Sequence, residues 1–182
     1  MVTGETEDRA DERASQQLAA LGRVSELFDT ADIPYWLFGG WAVDFHVGSI
    51  TRPHDDVDMA VWQDDVPRIS QQLEAEGWRH TPSDEDDGGT AFERSGVRLE
   101  LTFLVRDPGA RIVTPLRDAP AVWPEETFAN DARDLHGVRA RVVALGTLAS
   151  WKSSPRSDPD DAAKDAADSA VLARVPKPRS TS

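Results

Sequence analysis

The chain of 182 residues carries a formal net charge of −13 and contains no cysteine. Its length suits one compact domain, or a catalytic domain with a small helical appendage. The lack of cysteine excludes disulfides, thiolate metal sites and cysteine nucleophiles. The acidic charge disfavours a nucleic-acid partner and attracts cationic small molecules, unless it serves only to keep the protein soluble.

The N-terminal residues 1–13 are polar and acid-rich, and they lack the apolar segment of a secretory signal. No later stretch is apolar over the length that a membrane span requires. We therefore expect a soluble, cytoplasmic protein without a membrane partner.

The first third of the chain predicts two helices and a strand. Residues 1–8 are expected to be a disordered tail. Residues 35–38 form a short apolar run typical of a buried strand, and residues 41–47 predict a short helix that Gly48 ends. A longer amphipathic helix is predicted over residues 11–30, because apolar residues recur there at helical spacing: Leu18, Leu21, Val24, Leu27 and Phe28.

The middle of the chain alternates between strand and helix patterns. Alternation over residues 57–61 predicts a strand, and a helix capped by Asp64 should follow to Glu76 and end at Gly77. A strand near residues 78–81 leads to the acidic segment Ser83–Asp87. Two further strands, residues 90–94 and 97–105, should form a hairpin around Ser95-Gly96.

The last third of the chain is predicted less completely. Residues 107–136 are rich in proline and are not assigned, whereas residues 138–143 predict a strand. Helices are expected over residues 145–152 and 158–172, followed by a disordered tail over residues 175–182. This order predicts an α+β fold, with a mixed β-sheet, flanking helices and a helical C-terminal end. We expect a core domain over residues 9–144, against which a helical segment over residues 145–174 packs.

Asp56 and Asp58 flank Val57 at the start of a predicted strand. Residues i and i+2 of a strand point to the same side, so the two carboxylates project together. Like charges at this spacing repel one another unless a cation such as Mg²⁺ lies between them. The alternative is a solvated strand face.

Two further features of the sequence are consistent with a site at this carboxylate pair. Gly39-Gly40 joins an apolar strand to a helix, where small residues let the backbone approach a phosphate, although an ordinary strand-to-helix turn is the more common explanation of two adjacent glycines. Glu100 lies on the polar face of its strand and supplies a third carboxylate if the strands are neighbours. Otherwise Glu100 is a surface residue paired with Arg98 or Arg111.

Together these motifs resemble a known family. Gly39-Gly40 followed by Asp56-Val57-Asp58 is similar to the signature of the DNA polymerase beta-type nucleotidyltransferase superfamily. The longer runs Trp36–Asp44 and Thr51–Asp58 resemble its small antibiotic-modifying members, the aminoglycoside 2''-nucleotidyltransferases and the lincosamide nucleotidyltransferases. The resemblance covers roughly residues 20 to 105.

The resemblance implies roles for individual residues. Asp56 and Asp58 would hold magnesium. Glu100 falls where the family places its third carboxylate, an aspartate in the aminoglycoside enzymes, and its extra methylene leaves open whether it acts as a base, a metal ligand or neither. Gly39 and Gly40 would cradle the triphosphate of the nucleotide.

Four basic residues are implicated in the same way. Arg52 and His54 lie in the loop before the metal pair and would contact phosphates or stabilise that loop. Lys152 and Lys164 correspond to the family's late lysines, which would neutralise the triphosphate. Lys164 can instead pair on the helix surface with Asp160 and Asp168, which lie four residues to either side.

The implied reaction is magnesium-dependent transfer of a nucleoside monophosphate to a hydroxyl of an aminoglycoside-type antibiotic. ATP is the expected donor, and two Mg²⁺ ions are expected to take part. Trp41 and Asp44 are expected to contact this cationic acceptor together with Glu100, and the acidic segment can add to the field. The alternatives are a lincosamide, a partner protein as in toxin-type members, or a catalytically silent nucleotide-binding relative. The protein is expected to be a monomer or a homodimer.

Overall fold

A computed structural model describes residues 3–81, 87–129, 132–154 and 158–176. Its helices and strands are, in chain order, α1 (Thr3–Thr30), β1 (Tyr35–Phe38), α2 (Gly39–Val47), β2 (Val57–Trp62), α3 (Val66–Ala75), β3 (Arg79–His80), β4 (Gly89–Arg94), β5 (Val97–Arg106), β6 (Ile112–Thr114), β7 (Ala121–Val122), β8 (Ala132–Leu135), β9 (Val138–Arg141), α4 (Leu145–Lys152) and α5 (Pro159–Leu172). The predicted α+β class, with a mixed sheet and a helical C-terminal end, is confirmed.

The main sheet places β2 and β5 at its centre. Within the described residues its order is β1-β2-β5-β4-β3, with β6 added to the end of β5 and β7 added to β6. All neighbours are antiparallel except β2 and β5, which run in parallel. The parallel register aligns Asp58 with Glu100, and the antiparallel register of β1 aligns Phe38 with Asp58. The ends of three strands therefore meet at one place.

The N-terminal helix is longer than the sequence predicted. Helix α1 begins at Thr3, so residues 3–8 continue the helix and do not form the expected tail. A polar composition is compatible with a helical turn as well as with a tail, so composition alone does not distinguish the two. The apolar stripe is confirmed, since Leu21, Val24 and Phe28 are buried in the core.

Two helix boundaries near the site test the predicted caps. Gly48 ends α2 with a φ of +83°, and its N–H donates to the Asp44 carbonyl, as predicted. The predicted cap Asp64 is wrong: residues 63–65 form a 3₁₀ turn, and α3 starts at Val66. Pro67 suits the first turn of α3 because the first N–H groups of a helix have no acceptor within it.

The unassigned region contains short strands that its proline-rich sequence conceals. Residues 112–135 supply β6, β7, a 3₁₀ turn at Glu125–Phe128 and β8, which pairs with β9. The predicted turn of the β4–β5 hairpin is confirmed, with positive φ at Ser95 and Gly96. Of the acidic segment Ser83–Asp87, only Asp87 falls within the described residues.

The C-terminal helices pack against the core. α5 contacts both α2 and α4, and Asp158 caps it by accepting hydrogen bonds from the N–H groups of Asp160 and Asp161. Val175 packs against the core, so the expected tail is wrong at that residue; residues 177–182 lie outside the described part. None of the helices described here combines the length and apolar character of a membrane span.

Candidate active site

Three carboxylates meet where β2 and β5 lie side by side. Asp56 immediately precedes β2, Asp58 is its second residue, and the parallel register places Asp58 beside Glu100. One oxygen of each carboxylate lies within 4.8 Å of the others. Grouped carboxylate oxygens are the ligands that a hard divalent cation such as Mg²⁺ prefers, so this donor set fits the predicted metal.

Repulsion within this carboxylate trio is strong because the trio is partly buried. Burial raises the pKa of Asp58 well above its ordinary value, and the charges of Asp56 and Glu100 raise it further. Burial also raises the pKa of Asp56, and the charges of Glu100 and Asp55 add to the effect. A cation between the carboxylates would remove this repulsion, so the electrostatics agree with the geometry.

Glu100 also interacts with an arginine on its own strand. Arg98 Nε donates to Glu100 Oε1 at 2.7 Å, and Arg98 Nη1 lies 3.8 Å from Glu93 Oε1. Arg111, the other partner considered from the sequence, pairs with Asp107 instead. The ion pair with Arg98 and membership of the carboxylate trio are therefore two properties of one residue rather than alternatives.

The Gly39-Gly40 turn closes tightly against this trio. Gly39 begins α2 with a φ of +70°, a region that residues with a side chain rarely adopt. A Cβ atom on Gly39 would collide with Asp58 Oδ2, and one on Gly40 would lie 2.8 Å from Arg52 Nη2. The first N–H groups of α2 have no acceptor within the helix, so the turn can approach a phosphate and donate to it.

A cavity of about 420 Å³ lies between the turn, the trio and the C-terminal helices. Its described lining holds six carboxylates but only three cations. A triphosphate would add further negative charge, which divalent cations beside the carboxylates would offset. The lining residues are Phe38, Gly39, Gly40, Arg52, His54, Asp55, Asp56, Asp58, Glu100, Leu148, Trp151, Lys152, Asp161, Lys164 and Asp165.

Two of the cations share carboxylates of α5. Arg52 Nε and Nη2 donate to the two oxygens of Asp168, each at 2.9 Å. Lys152 Nζ lies 2.8 Å from Asp165 Oδ1 and 2.9 Å from Asp168 Oδ2. Burial alone would raise the pKa of Asp168, but the hydrogen bonds from Arg52 and Lys152 outweigh it and hold that pKa below its ordinary value.

The third cation, Lys164, crosses to the loop before β2. Its Nζ donates to Asp55 Oδ2 at 2.8 Å, rather than to Asp160 or Asp168 on its own helix. The pair is well exposed, so it contributes little to stability. Lys164 therefore lies at the cavity with a side chain that solvent can reach.

The predicted acceptor contacts of Trp41 and Asp44 are wrong. Trp41 is 1% exposed and Asp44 is 0% exposed, so neither side chain can touch a ligand. Asp44 Oδ1 accepts hydrogen bonds from Thr51, and its Oδ2 lies 2.6 Å from His54 Nε2. The centroids of the His54 and Trp41 rings lie 4.7 Å apart, so His54 stabilises the loop, and it also lines the cavity although it is buried.

Replacing Asp44 by asparagine should lower the free energy of unfolding by about 2 kcal/mol, because buried hydrogen bonds to a charged acceptor are weakened. Denaturant unfolding measures this. Asp134→Asn, which removes an ion pair that is well exposed to solvent, is the matched control and should change little. A protein of unchanged stability would contradict the structural role of Asp44.

Sequence reasoning missed the partners that hold the cations. Asp165 is buried and, like Asp168, lies on the inward face of α5, three residues apart. A spacing of three residues places both carboxylates on one face of a helix, which the sequence alone shows. Two carboxylates on one helical face are nevertheless expected to be exposed to solvent unless their cationic partners are known.

A second cavity, of about 650 Å³, adjoins the first and was also missed. The two cavities share Phe38, Glu100 and Trp151. Trp123 also lines the second cavity, with its ring centroid 4.4 Å from that of Trp151. Glu100 is therefore the member of the carboxylate trio that reaches both spaces.

Magnesium should stabilise the protein more at pH 8 than at pH 5. The folded-state pKa values of Asp56 and Asp58 are raised, so their contribution to stability is present at low pH and is lost as pH rises through those values. Magnesium binds the ionised carboxylate oxygens, so the stabilisation that it provides should increase as pH rises through the same pKa values. Thermal melts with and without MgCl₂, against NaCl of equal ionic strength, test this; an effect independent of pH would contradict it.

The chain matches the sequence profile of the aminoglycoside-2''-adenylyltransferase family over residues 20–161. It is 31% identical over 113 residues to a 2''-aminoglycoside nucleotidyltransferase of Klebsiella pneumoniae, covering 62% of this chain and 52% of that protein. It is 34% identical over 56 residues to a lincosamide resistance protein of Staphylococcus haemolyticus, covering 31% and 35%. The chain thus spans about half the length of the first relative and about a third of the second.

Two solved structures share the fold. ANT(2'')-Ia in complex with adenylyl-2''-tobramycin has a TM-score of 0.67 and 19% identity, covering 86% of this chain and 87% of that one. Lincomycin-bound LnuA, a lincosamide antibiotic adenylyltransferase, has a TM-score of 0.64 and 18% identity, covering 83% and 92%. At these identities the likeness supports the fold alone.

The family profile spans the Gly39-Gly40 turn, the carboxylate trio and Lys152. The glycine turn and the pair Asp56 and Asp58 carried the resemblance in the sequence, and the profile confirms that resemblance. The chain belongs to the aminoglycoside-2''-adenylyltransferase family of nucleotidyltransferases.

Proposed function

We propose that this protein is a magnesium-dependent enzyme that transfers a nucleoside monophosphate from a nucleoside triphosphate to a hydroxyl of a small-molecule antibiotic, releasing pyrophosphate. The observation that carries the proposal is the trio Asp56, Asp58 and Glu100 beside the Gly39-Gly40 turn. ATP is the expected donor, and an aminoglycoside is the first candidate acceptor.

The donor nucleotide would occupy the cavity lined by the carboxylate trio. Asp56, Asp58 and Glu100 would hold two magnesium ions, which when bound offset the negative charge of the phosphate oxygens. The N–H groups of the Gly39-Gly40 turn donate to phosphate oxygens. Arg52 and Lys152 bring positive charge to the same cavity.

Glu100 is the proposed base because it lines both cavities, whereas Asp56 and Asp58 line only the first. The acceptor hydroxyl attacks the α-phosphorus in line with the leaving group. A new phosphorus–oxygen bond forms to the acceptor, and the bond from the α-phosphorus to the bridging oxygen breaks. The hydroxyl proton passes to a carboxylate oxygen of Glu100, and pyrophosphate leaves with the bonding electrons.

An aminoglycoside is favoured as acceptor by charge. The protein has a formal net charge of −13, and the second cavity is lined by two carboxylates, Asp87 and Glu100, and by one cation, Arg98, which pairs with Glu100. Aminoglycosides carry several ammonium groups, which such a field attracts. The family name agrees with this choice.

A lincosamide is the second candidate, and a different observation favours it. Leu116 and Val122 are the large apolar side chains that are exposed within the described part of the chain, and both line the second cavity. Phe38 and Trp151 line it as well. An acceptor with an apolar face would cover this wall, which a polycation leaves exposed.

The test is a screen of aminoglycosides, lincosamides and other hydroxylated metabolites with each nucleoside triphosphate and MgCl₂, scored by pyrophosphate release and by the mass of the adduct. An adduct heavier by one nucleoside monophosphate supports the proposal and identifies the acceptor. Failure of every small acceptor would favour a partner protein as substrate.

A catalytically silent relative is distinguished by calorimetry. Wild-type protein that binds neither ATP nor a non-hydrolysable analogue in the presence of MgCl₂ would overturn the enzymatic proposal. Binding without turnover of any acceptor, small molecule or protein, would favour a nucleotide-binding module.

A further inference from the structure

Asp168 is a buried carboxylate that touches two cations of the nucleotide cavity. It lies on α5, and its side chain is 1% exposed. Arg52 donates to it through two nitrogens, and Lys152 Nζ lies 2.9 Å from its Oδ2. Asp168 itself is not part of the cavity lining, so its influence on a ligand acts through these two side chains.

The contact with Asp168 fixes the direction of the Arg52 guanidinium. Two parallel hydrogen bonds to one carboxylate set the plane of the group, which a single bond does not. On the other side, Arg52 Nη1 lies 3.2 Å from His54 Nδ1 and donates to the Pro53 carbonyl. Arg52 Nη2 is thereby held next to Gly40, where a Cβ atom would stand only 2.8 Å away.

Lys152 is fixed in a similar way. Its side chain is 10% exposed, and its Nζ contacts both Asp165 and Asp168. An ammonium has three donors, so two carboxylates leave capacity for a third acceptor such as a phosphate oxygen. Lys152 is the last residue of α4 and lines the same cavity as Gly40.

A purely structural explanation for this buried network is weak. Burying charges is expensive, and apolar residues of similar volume often stabilise a core as well as or better than an ion pair. Cations that are fixed in advance beside a cavity have a different advantage. They stabilise an incoming anion without having to reorganise when it binds.

We propose that Asp168 is a positioning residue for the triphosphate: it holds Arg52 and Lys152 in the places from which they bind phosphate oxygens. This inference rests on the proposed function, since it assumes that the cavity binds a nucleoside triphosphate. It assigns to α5 a part in nucleotide affinity, although Asp168 does not contact the ligand.

The test compares Asp168→Asn with Asp160→Asn, a control that removes an exposed carboxylate from the same helix. Calorimetry with MgCl₂ and a non-hydrolysable ATP analogue should show at least about tenfold weaker binding for Asp168→Asn, the scale of weakened hydrogen bonds between charged groups. The KM for ATP should rise by a similar factor, while the KM for the acceptor stays within about twofold. Asp160→Asn should match the wild type.

Two further variants separate positioning from folding. Arg52→Lys keeps the charge but loses the two-pronged bond, so it should weaken analogue binding as Asp168→Asn does, and the double variant should be little worse than either single one. Asp168→Glu retains the charge and should recover part of the affinity. If Asp168→Asn does not stay folded at the assay temperature, as judged by thermal melting, Arg52→Lys and Asp168→Glu supply the comparison.

The outcomes distinguish this inference from the proposed function. If the wild type binds and turns over ATP but Asp168→Asn, or Arg52→Lys where the former does not fold, binds the analogue as tightly as the wild type, the positioning role is wrong and the proposed function stands. Tighter binding by the variant would also overturn it, because the carboxylate would then compete with phosphate for the cations. If the wild type binds no triphosphate at all, both proposals fall.

Discussion

Replacing Asp58 by asparagine should reduce nucleotidyl transfer by at least about a thousandfold while the protein remains folded. Asparagine keeps the shape of the side chain but lacks the charge that a magnesium ligand supplies. Pyrophosphate release at saturating ATP, MgCl₂ and acceptor measures the effect. Asp64→Asn is the matched control, because Asp64 is an exposed carboxylate just beyond the other end of β2.

The same variant should be more stable than the wild type when metal is absent. Burial and the charges of Asp56 and Glu100 raise the pKa of Asp58, which means that ionising it in the folded protein is unfavourable. Removing that charge should raise the free energy of unfolding at pH 7.5 by about 1 kcal/mol, a gain typical of relieving a strained functional site. Near-normal turnover with MgCl₂ in Asp58→Asn would refute the metal assignment.

Replacing Gly39 by alanine should lower both the stability of the protein and its turnover. The backbone there has a φ of +70°, and the new methyl group would collide with Asp58 Oδ2. We expect a loss of about 3 kcal/mol in the free energy of unfolding, from backbone strain and overpacking together. Turnover should fall at least about a hundredfold, because a displacement of about 1 Å at reacting groups has that scale of effect.

The variant Gly48→Ala separates the effect of backbone strain from the effect of the collision with Asp58. Gly48 has a φ of +83°, but a Cβ atom there has no neighbour within 4 Å. It should therefore show only the backbone cost, about 1 kcal/mol, and keep its turnover. If Gly39→Ala is no worse than Gly48→Ala in stability and activity, the close approach between the turn and Asp58 has no functional importance.

The sequence predicted the carboxylate trio well because its pattern is local. Strand alternation brings Asp56 and Asp58 to one side, and alternation in β5 likewise places Glu100 on its polar face. That β2 and β5 are adjacent and parallel is a long-range property that alternation does not contain. From the sequence, adjacency was left as a condition for Glu100 to join the pair, and the register of Asp58 with Glu100 meets that condition.

The sequence failed where a polar residue is buried by distant partners. Asp44 was expected at the acceptor because its charge would attract ammonium groups, yet Thr51 and His54 satisfy it in the interior. Asp168 is the same case, since Arg52 lies 116 positions earlier in the chain. Short edge strands such as β7, with two residues, carry too few positions for alternation to be recognised.

The separation of 116 residues between Arg52 and Asp168 has a consequence for when the proposed nucleotide site would be completed during folding. Contacts between distant parts of a chain form late, because closing the intervening loop loses entropy before the contact returns any energy. A refolding molecule would regain its helical circular dichroism and its β2–β5 pairing first, and ATP affinity only after α5 has docked. The lag between the two signals would report the arrival of the last helix.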